Sequence, residues 1–187
     1  MIVALTGATG FVGQAVLDAA ARQGIAVRAL TRRPQQDRDG VIWIAGSLDD
    51  PASLEKLCDG ADSVVHVAGL TNTPDPSEFE QANVVGTRNL LDAAHKAGVS
   101  RFVFTSSLSA REPSLSQYGA SKASAEGYVE TSGMDFTIVR PPAVYGPRDI
   151  DMFELFRTAK YGVVPVPPEG HTSIIHVDDL AECLLAL

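Results

Sequence analysis

The chain has 187 residues, 45% of them hydrophobic and 20% charged, which is the composition of one ordinary globular domain with a substantial core. Its formal charge of −8 argues against a general nucleic-acid surface, which needs a cationic field to displace counterions from phosphates, and no apolar stretch is long enough to span a bilayer. Met1-Ile2-Val3-Ala4-Leu5-Thr6 runs directly into a glycine turn, with no basic region followed by a signal-type apolar segment, so a cytoplasmic protein is expected. Short β-branched runs then alternate with helical segments, the pattern of strand-helix-strand units around a parallel sheet. Residues 2–6, 26–31, 41–45 and 63–67 read as the first four strands, apolar on both faces as strands covered by helices are, and 11–23 as the first helix. A long helix is expected over 77–97 with Gly98 as its stop, then a strand at 101–105, a loop at 106–116, a helix bearing Tyr118 and Lys122, and a sixth strand at 135–139. After Pro141 the prolines at 142, 147, 165, 167 and 168 predict loops and one helix near 152–161, followed by a last helix over 177–187 opened by Asp178 or Asp179. The expected class is α/β, a doubly wound parallel sheet with helices on both faces. It forms a single domain over 1–187, of which 141–187 includes a reduced substrate-binding portion.

Thr6-Gly7-Ala8-Thr9-Gly10-Phe11-Val12-Gly13 lies between the first strand and the first helix, the context in which a glycine pattern binds a dinucleotide. Gly7 permits a tight turn, Gly10 lets backbone amides approach a pyrophosphate, Gly13 allows close helix-sheet packing, and the helix N-terminus favours the anion. At the end of the second strand, Thr31-Arg32-Arg33 offers no carboxylate for ribose hydroxyls, whereas arginine accommodates an added phosphate. NADP is therefore expected in preference to NAD, with Arg32 the leading contact and Arg33 the second. Tyr118 and Lys122 stand four residues apart in Tyr118-Gly119-Ala120-Ser121-Lys122, which on a helix puts both on one face. A phenol titrates near pH ~10, and an adjacent ammonium stabilises its anion, so such a pair is suited to moving a proton.

These segments are joined by His66-Val67-Ala68-Gly69, Asn83-Val84-Val85-Gly86-Thr87, Thr105-Ser106-Ser107, Arg140-Pro141-Pro142-Ala143-Val144-Tyr145-Gly146-Pro147 and His176-Val177-Asp178-Asp179-Leu180-Ala181. In this order, over nearly the whole chain, they resemble the short-chain dehydrogenase/reductase superfamily in its extended or atypical branch, the NAD-dependent epimerase/dehydratase family. The resemblance implies a Rossmann fold. It implies Ser107 as the serine that hydrogen-bonds the reacting oxygen, with Ser106 not the catalytic neighbour, and Tyr118 as general acid/base. Lys122 is implied to lower the phenol's pKa while holding the nicotinamide ribose, and Asn83 to fix the site's hydrogen-bond network. The cofactor contacts expected are Gly7, Thr9, Gly10, Phe11, Val12, Gly13, Thr31, Arg32, Arg33, Ser47, Leu48, Ala68, Gly69, Tyr118, Lys122 and the backbone after Pro141, with no metal. The implied activity is NAD(P)-dependent oxidation or reduction of a small carbonyl/alcohol substrate. The alternatives are a nucleotide-sugar epimerase or dehydratase that regenerates its cofactor, and a non-catalytic NADP-binding sensor or assembly protein. A homodimer through the helices flanking the sheet is also implied.

The chain departs from the family pattern in three places. Gly46-Ser47-Leu48 stands where many members carry Gly-Asp-Leu beside the adenine. Ser107 and Tyr118 are only eleven residues apart, tighter than is usual in the sugar-nucleotide enzymes, and most of the C-terminal substrate region of extended members is lacking. The substrate is therefore left open. His66, in an apolar strand, is expected to be a satisfied structural histidine; for His176 the expectation is a place beside a helix cap made by Asp178 or Asp179, with a substrate-facing position as the alternative. Cys58 and Cys183, in apolar helical contexts, are expected to be buried thiols, and Arg111 and Arg148, in loops flanking the site, surface arginines.

Overall fold

Six short apolar runs pair in parallel because helices and long connections carry the chain back between them. The computed structural model describes residues 1–163 and 170–187, so Pro165, Pro167 and Pro168 lie outside the described residues. In chain order the elements are β1 (Ile2–Thr6), α1 (Phe11–Gln23), β2 (Ala26–Thr31), β3 (Val41–Ala45), α2 (Pro51–Cys58) and β4 (Ser63–His66). A composite helix follows, made of α3 (Ser77–Phe79), a π-helical stretch (Glu80–Val85) and α4 (Gly86–Lys96). Then come β5 (Arg101–Thr105), α5 (Gln117–Glu130), β6 (Asp135–Val139), β7 (Ala143–Tyr145), α6 (Asp151–Lys160), β8 (Ile174–His176) and α7 (Val177–Ala186).

The main sheet has the order β3-β2-β1-β4-β5-β6, all parallel. Winding reverses between β1 and β4, and a crevice opens beyond the carboxyl ends of strands at such a switch point. On one face Val3, Leu5, Val27 and Val65 pack against Val16 and Leu17 of α1 and Val177, Leu180 and Leu184 of α7. On the other, Val64, Phe102 and Phe104 meet Leu54 and Leu57 of α2, Leu90 and Leu91 of α4, and Ala125 and Val129 of α5. The sheet is thus covered on both sides, as the strand composition requires.

Several boundaries differ from the sequence reading for local physical reasons. The helix expected over 77–97 is interrupted by a π turn: Asn83 is tied to Leu70 and Ser121, and the Leu48 side chain occupies the space beside Gly86, where a Cβ would lie 2.8 Å from Leu48 Cδ1. The last helix is capped by His176 and not by Asp178 or Asp179, since the Asp178 N–H donates to His176 Nδ1 at 3.3 Å. β7 and β8 form a parallel pair in a region expected to hold only loops and one helix. Cys58 is buried as expected, but Cys183 is exposed, because α7 turns Leu180, Ala181 and Leu184 inward and leaves position 183 outside.

Candidate functional site

Where α1 meets β1 the backbone leaves no room for a side chain. Gly7 has φ of 74°, and a Cβ on it would lie 2.6 Å from Ala68 N. A Cβ on Gly13 would lie 2.0 Å from Gly7 O. α1 starts at Gly10 without a side-chain cap and without an acidic residue in its first turn, so its leading amides are open to an anion. This cradle fits the pyrophosphate of a dinucleotide.

The cradle forms one wall of a cleft of about 530 Å3. Of the expected cofactor residues, Gly7, Thr9, Gly10, Phe11, Val12, Gly13, Thr31, Arg32, Ser47, Leu48, Ala68 and Gly69 line it. Arg33, Tyr118, Lys122 and Pro141 are not in this lining. Arg33 is held in a turn in which the Thr31 hydroxyl donates to Arg33 O at 2.7 Å, and Pro141 O accepts from Leu108 N at 2.9 Å. The lining also contains Leu30, Gly46, Asp49, Val67, Leu70 and Thr71, which were not among the expected cofactor contacts. Leu70 and Thr71 merely continue the Ala68-Gly69 segment. Asp49 brings a carboxylate to the rim two residues past the position where the family pattern has one, and its Oδ1 accepts from Gln81 Nε2 at 2.6 Å.

Gly69 joins this cleft to the second group of side chains, since a Cβ there would lie 3.3 Å from Asn83 Oδ1 and 3.5 Å from Lys122 Nζ. Lys122 is 3% exposed, donates to Thr105 O at 2.7 Å and sits 4.4 Å from the Phe104 ring centroid. Burial pushes its pKa down to about 8, while Glu126, one helical turn on, acts to raise it. Glu126 is itself buried and accepts from Arg140 through both carboxylate oxygens, at 2.8 and 2.5 Å. That pair ties α5 to the residue preceding Pro141.

Asn83 points inward from the π turn. Its Oδ1 accepts from Leu70 N at 2.7 Å, and its Nδ2 donates to Leu70 O at 3.0 Å and to Ser121 Oγ at 2.9 Å. Tyr118 is half-buried, with its ring 6.1 Å from that of Phe79. Burial raises the phenol's pKa above its ordinary value, and the neighbouring Ser107 hydroxyl opposes the shift by hydrogen bonding. The Lys122 ammonium, on the same helix, donates to Thr105 O, and the shift of the phenol comes from burial and Ser107. Ser107 leaves β5 in extended conformation and its Oγ also accepts from Ser109 N at 3.2 Å, whereas Ser106 is 3% exposed and faces Glu126.

His66 is fully buried between β1 and the composite helix, contacting Thr6 Oγ1 at 2.6 Å and Thr87 Oγ1 at 2.9 Å. Arg148 is turned away from the cleft onto Asp18 at 2.8 Å, which also pairs with Arg38 at 2.7 Å, and Arg111 is exposed on a short 3-10 turn. Among the described residues no helix is long and apolar enough to cross a membrane.

The model of the NAD dependent epimerase/dehydratase family matches residues 3–187. The chain is 41% identical over 194 aligned positions to a ceramide reductase of Caulobacter vibrioides, covering 99% of this chain and 60% of that protein. It is 28% identical over 214 positions to a UDP-glucose 4-epimerase of Vibrio cholerae, covering 98% and 65%. Among solved structures it superposes on the Bordetella bronchiseptica enzyme WbmH in complex with NAD+ with a TM-score of 0.87 at 26% identity, covering 99% of this chain and 71% of that one. The chain thus spans less than two thirds of the length of both curated relatives.

Proposed function

The chain belongs to the NAD dependent epimerase/dehydratase family, and from that premise we propose that it is an NADP(H)-dependent oxidoreductase interconverting a small carbonyl compound and its alcohol. The observation that carries this reading is the meeting, at Gly69, of a dinucleotide cradle with Asn83 and Lys122, Asn83 being linked through the Ser121 hydroxyl to the backbone of Tyr118. Bound in the cleft, the nicotinamide supplies or accepts the hydride. The chain's own residues handle the proton. Because burial keeps the Tyr118 phenol protonated at neutral pH, it acts as general acid in reduction, delivering its proton to the carbonyl oxygen. Ser107 donates a hydrogen bond to the same oxygen, and Lys122, beside Gly69 at the cleft and one helical turn from Tyr118, would hold the ribose hydroxyls and place its positive charge on the side of the phenolate left behind. Asn83 fixes the 68–71 loop against α5. Residues 141–187 include a reduced substrate-binding portion, and a homodimer through the helices flanking the sheet belongs to the same proposal.

The choice of NADP rests on Arg32 at the cleft and on the absence of a carboxylate at the end of β2. Arg32→Asp should weaken NADPH binding by roughly 10- to 100-fold, the value of one hydrogen bond to a charged group, while leaving NADH nearly unaffected. Equal titration curves for the two cofactors, before and after the change, would contradict the assignment.

The UDP-glucose 4-epimerase relative supports a second reading, in which hydride is taken and returned in one turnover. Steady-state assay separates the two. Carbonyl reduction depletes NADPH in proportion to product, whereas epimerisation or dehydration leaves the cofactor pool unchanged. A sensor that only binds cofactor needs the cradle and ribose contacts; keeping Ser107, Tyr118, Lys122 and Asn83 together speaks for catalysis.

A further inference from the structure

We infer that His66 is a positioning residue: a neutral imidazole protonated on Nε2 that links the cofactor-side loop to Asn83 through one directed chain of hydrogen bonds. The inference rests on the proposed reading of the cleft as a nicotinamide-cofactor site. The direction follows from atoms that have no choice of role. Asn83 O is a carbonyl and only accepts, so Thr87 Oγ1, 2.6 Å away, donates its single proton there. At 2.9 Å from His66 Nε2, Thr87 is therefore the acceptor, and the ring proton lies on Nε2.

The ring is fully buried, and burial, reinforced by the Lys122 ammonium, holds its pKa at about 3. Phe102 and Phe104 of β5 flank it at 6.1 and 5.5 Å, so its surroundings offer a second proton no compensation. Nδ1 then keeps its lone pair. Thr6 Oγ1, 2.6 Å away, donates to it and accepts the Ala68 N–H at 3.2 Å. Every donor points the same way, from Ala68 through Thr6, His66 and Thr87 to Asn83 O, and each bond polarises the next.

Both ends of the chain grip the site. Ala68 lines the cleft beside Gly69. Asn83 holds Leu70 and Ser121, and the Ser121 hydroxyl donates to Tyr118 O at 2.8 Å. A histidine that only filled core space would need its two nitrogens satisfied and nothing more. Here a change of tautomer takes the Thr87 proton off Asn83 O and leaves the Thr6 hydroxyl proton without the ring as its acceptor, so the segment carrying Ala68 and the turn carrying Asn83 are set by the same ring proton.

Heteronuclear NMR of the intact chain reads the ring directly. The expected result is a protonated Nε2 and an unprotonated Nδ1, unchanged from about pH 5 to about pH 8. A proton on Nδ1, or a titration within that range, overturns the inference whether or not a substrate is known. A double-mutant cycle on NADPH affinity reads the linkage. Thr6→Val and Thr87→Val should each weaken binding about tenfold, and the double variant also about tenfold, because cutting the chain at one end already releases the other. Additive losses, or no loss from either change, overturn it. Thr87→Ser should recover the binding lost in Thr87→Val, and its failure to do so counts equally against the linkage. If the valine variants do not fold, the imidazole shifts decide alone. Failure of the unaltered chain to bind NADPH defeats the proposed function, and the same shifts still decide the linkage.

Discussion

Tyr118→Phe should lower kcat for carbonyl reduction by roughly a thousandfold, within the range general acid catalysis contributes, while NADPH affinity changes little. The separation of the two effects follows from what the residue touches. Phenylalanine keeps the ring that packs 6.1 Å from Phe79, and it leaves untouched the backbone carbonyl that accepts from Ser121, so α5 and Lys122 stay in place. Only the ionisable oxygen is lost. Because burial raises the phenol's pKa, the wild-type proton is present at neutral pH for reduction, and no other group in the cluster combines that protonation with the same position beside Ser107. Stopped-flow single-turnover kinetics with NADPH in excess would measure the loss free of product release. Full turnover by the variant on a substrate reduced by the wild type would remove the phenol from the proton-transfer step.

Gly13→Ala should be the most damaging single methyl group. The added Cβ would lie 2.0 Å from Gly7 O and 2.7 Å from Ala8 Cα, both backbone atoms of the turn that forms the cradle, so relief requires the turn to open. Overpacking of this kind costs about 3 kcal/mol, which for a chain of this size lowers Tm by roughly 6–12 °C. The amides facing the anion are displaced by the same movement, so NADPH binding should fall with stability. Gly127→Ala is the matched control: it sits in α5 with nothing within 4 Å of the new Cβ, and should leave Tm unchanged or raise it by up to a few degrees. Thermal unfolding of the two variants, with and without NADPH, checks both statements. A Gly13→Ala chain that melted like the control and kept its NADPH-dependent stabilisation would show that the close packing at this turn has no consequence.

The parts of the site that depend on local stereochemistry were legible in the sequence. A Cβ on Gly13 would lie 2.0 Å from Gly7 O and one on Gly7 2.6 Å from Ala68 N, so the spacing of Gly7, Gly10 and Gly13 marks the cradle between β1 and α1. The parallel order of strands followed from apolar runs without polar alternation. What was not legible depends on contacts between distant segments. Helical periodicity over 77–97 carries no mark of a π turn, yet that turn aims Asn83 at Leu70 and Ser121, residues 13 and 38 positions away. Asp178 and Asp179 have the chemistry of a cap for α7, but the chain enters from β8 with His176 already placed to accept the Asp178 amide. Arg33 follows Arg32 in sequence, but the Thr31 turn brings only Arg32 to the cleft. The i, i+4 spacing places Lys122 on the Tyr118 face, but the donation of its ammonium to Thr105 O from β5 is a contact no helix pattern encodes.

The most direct measurement of the central proposal is isotope transfer from NADPH carrying deuterium at the hydride position, with the unaltered chain and a panel of apolar ketones, aldehydes and nucleotide sugars analysed by mass spectrometry. The account predicts an alcohol product bearing one deuterium on its new carbinol carbon, formed in equal amount to the NADP produced, and absent with Tyr118→Phe. It is contradicted if no carbonyl compound gains deuterium while a nucleotide sugar changes configuration and the NADPH pool stays intact.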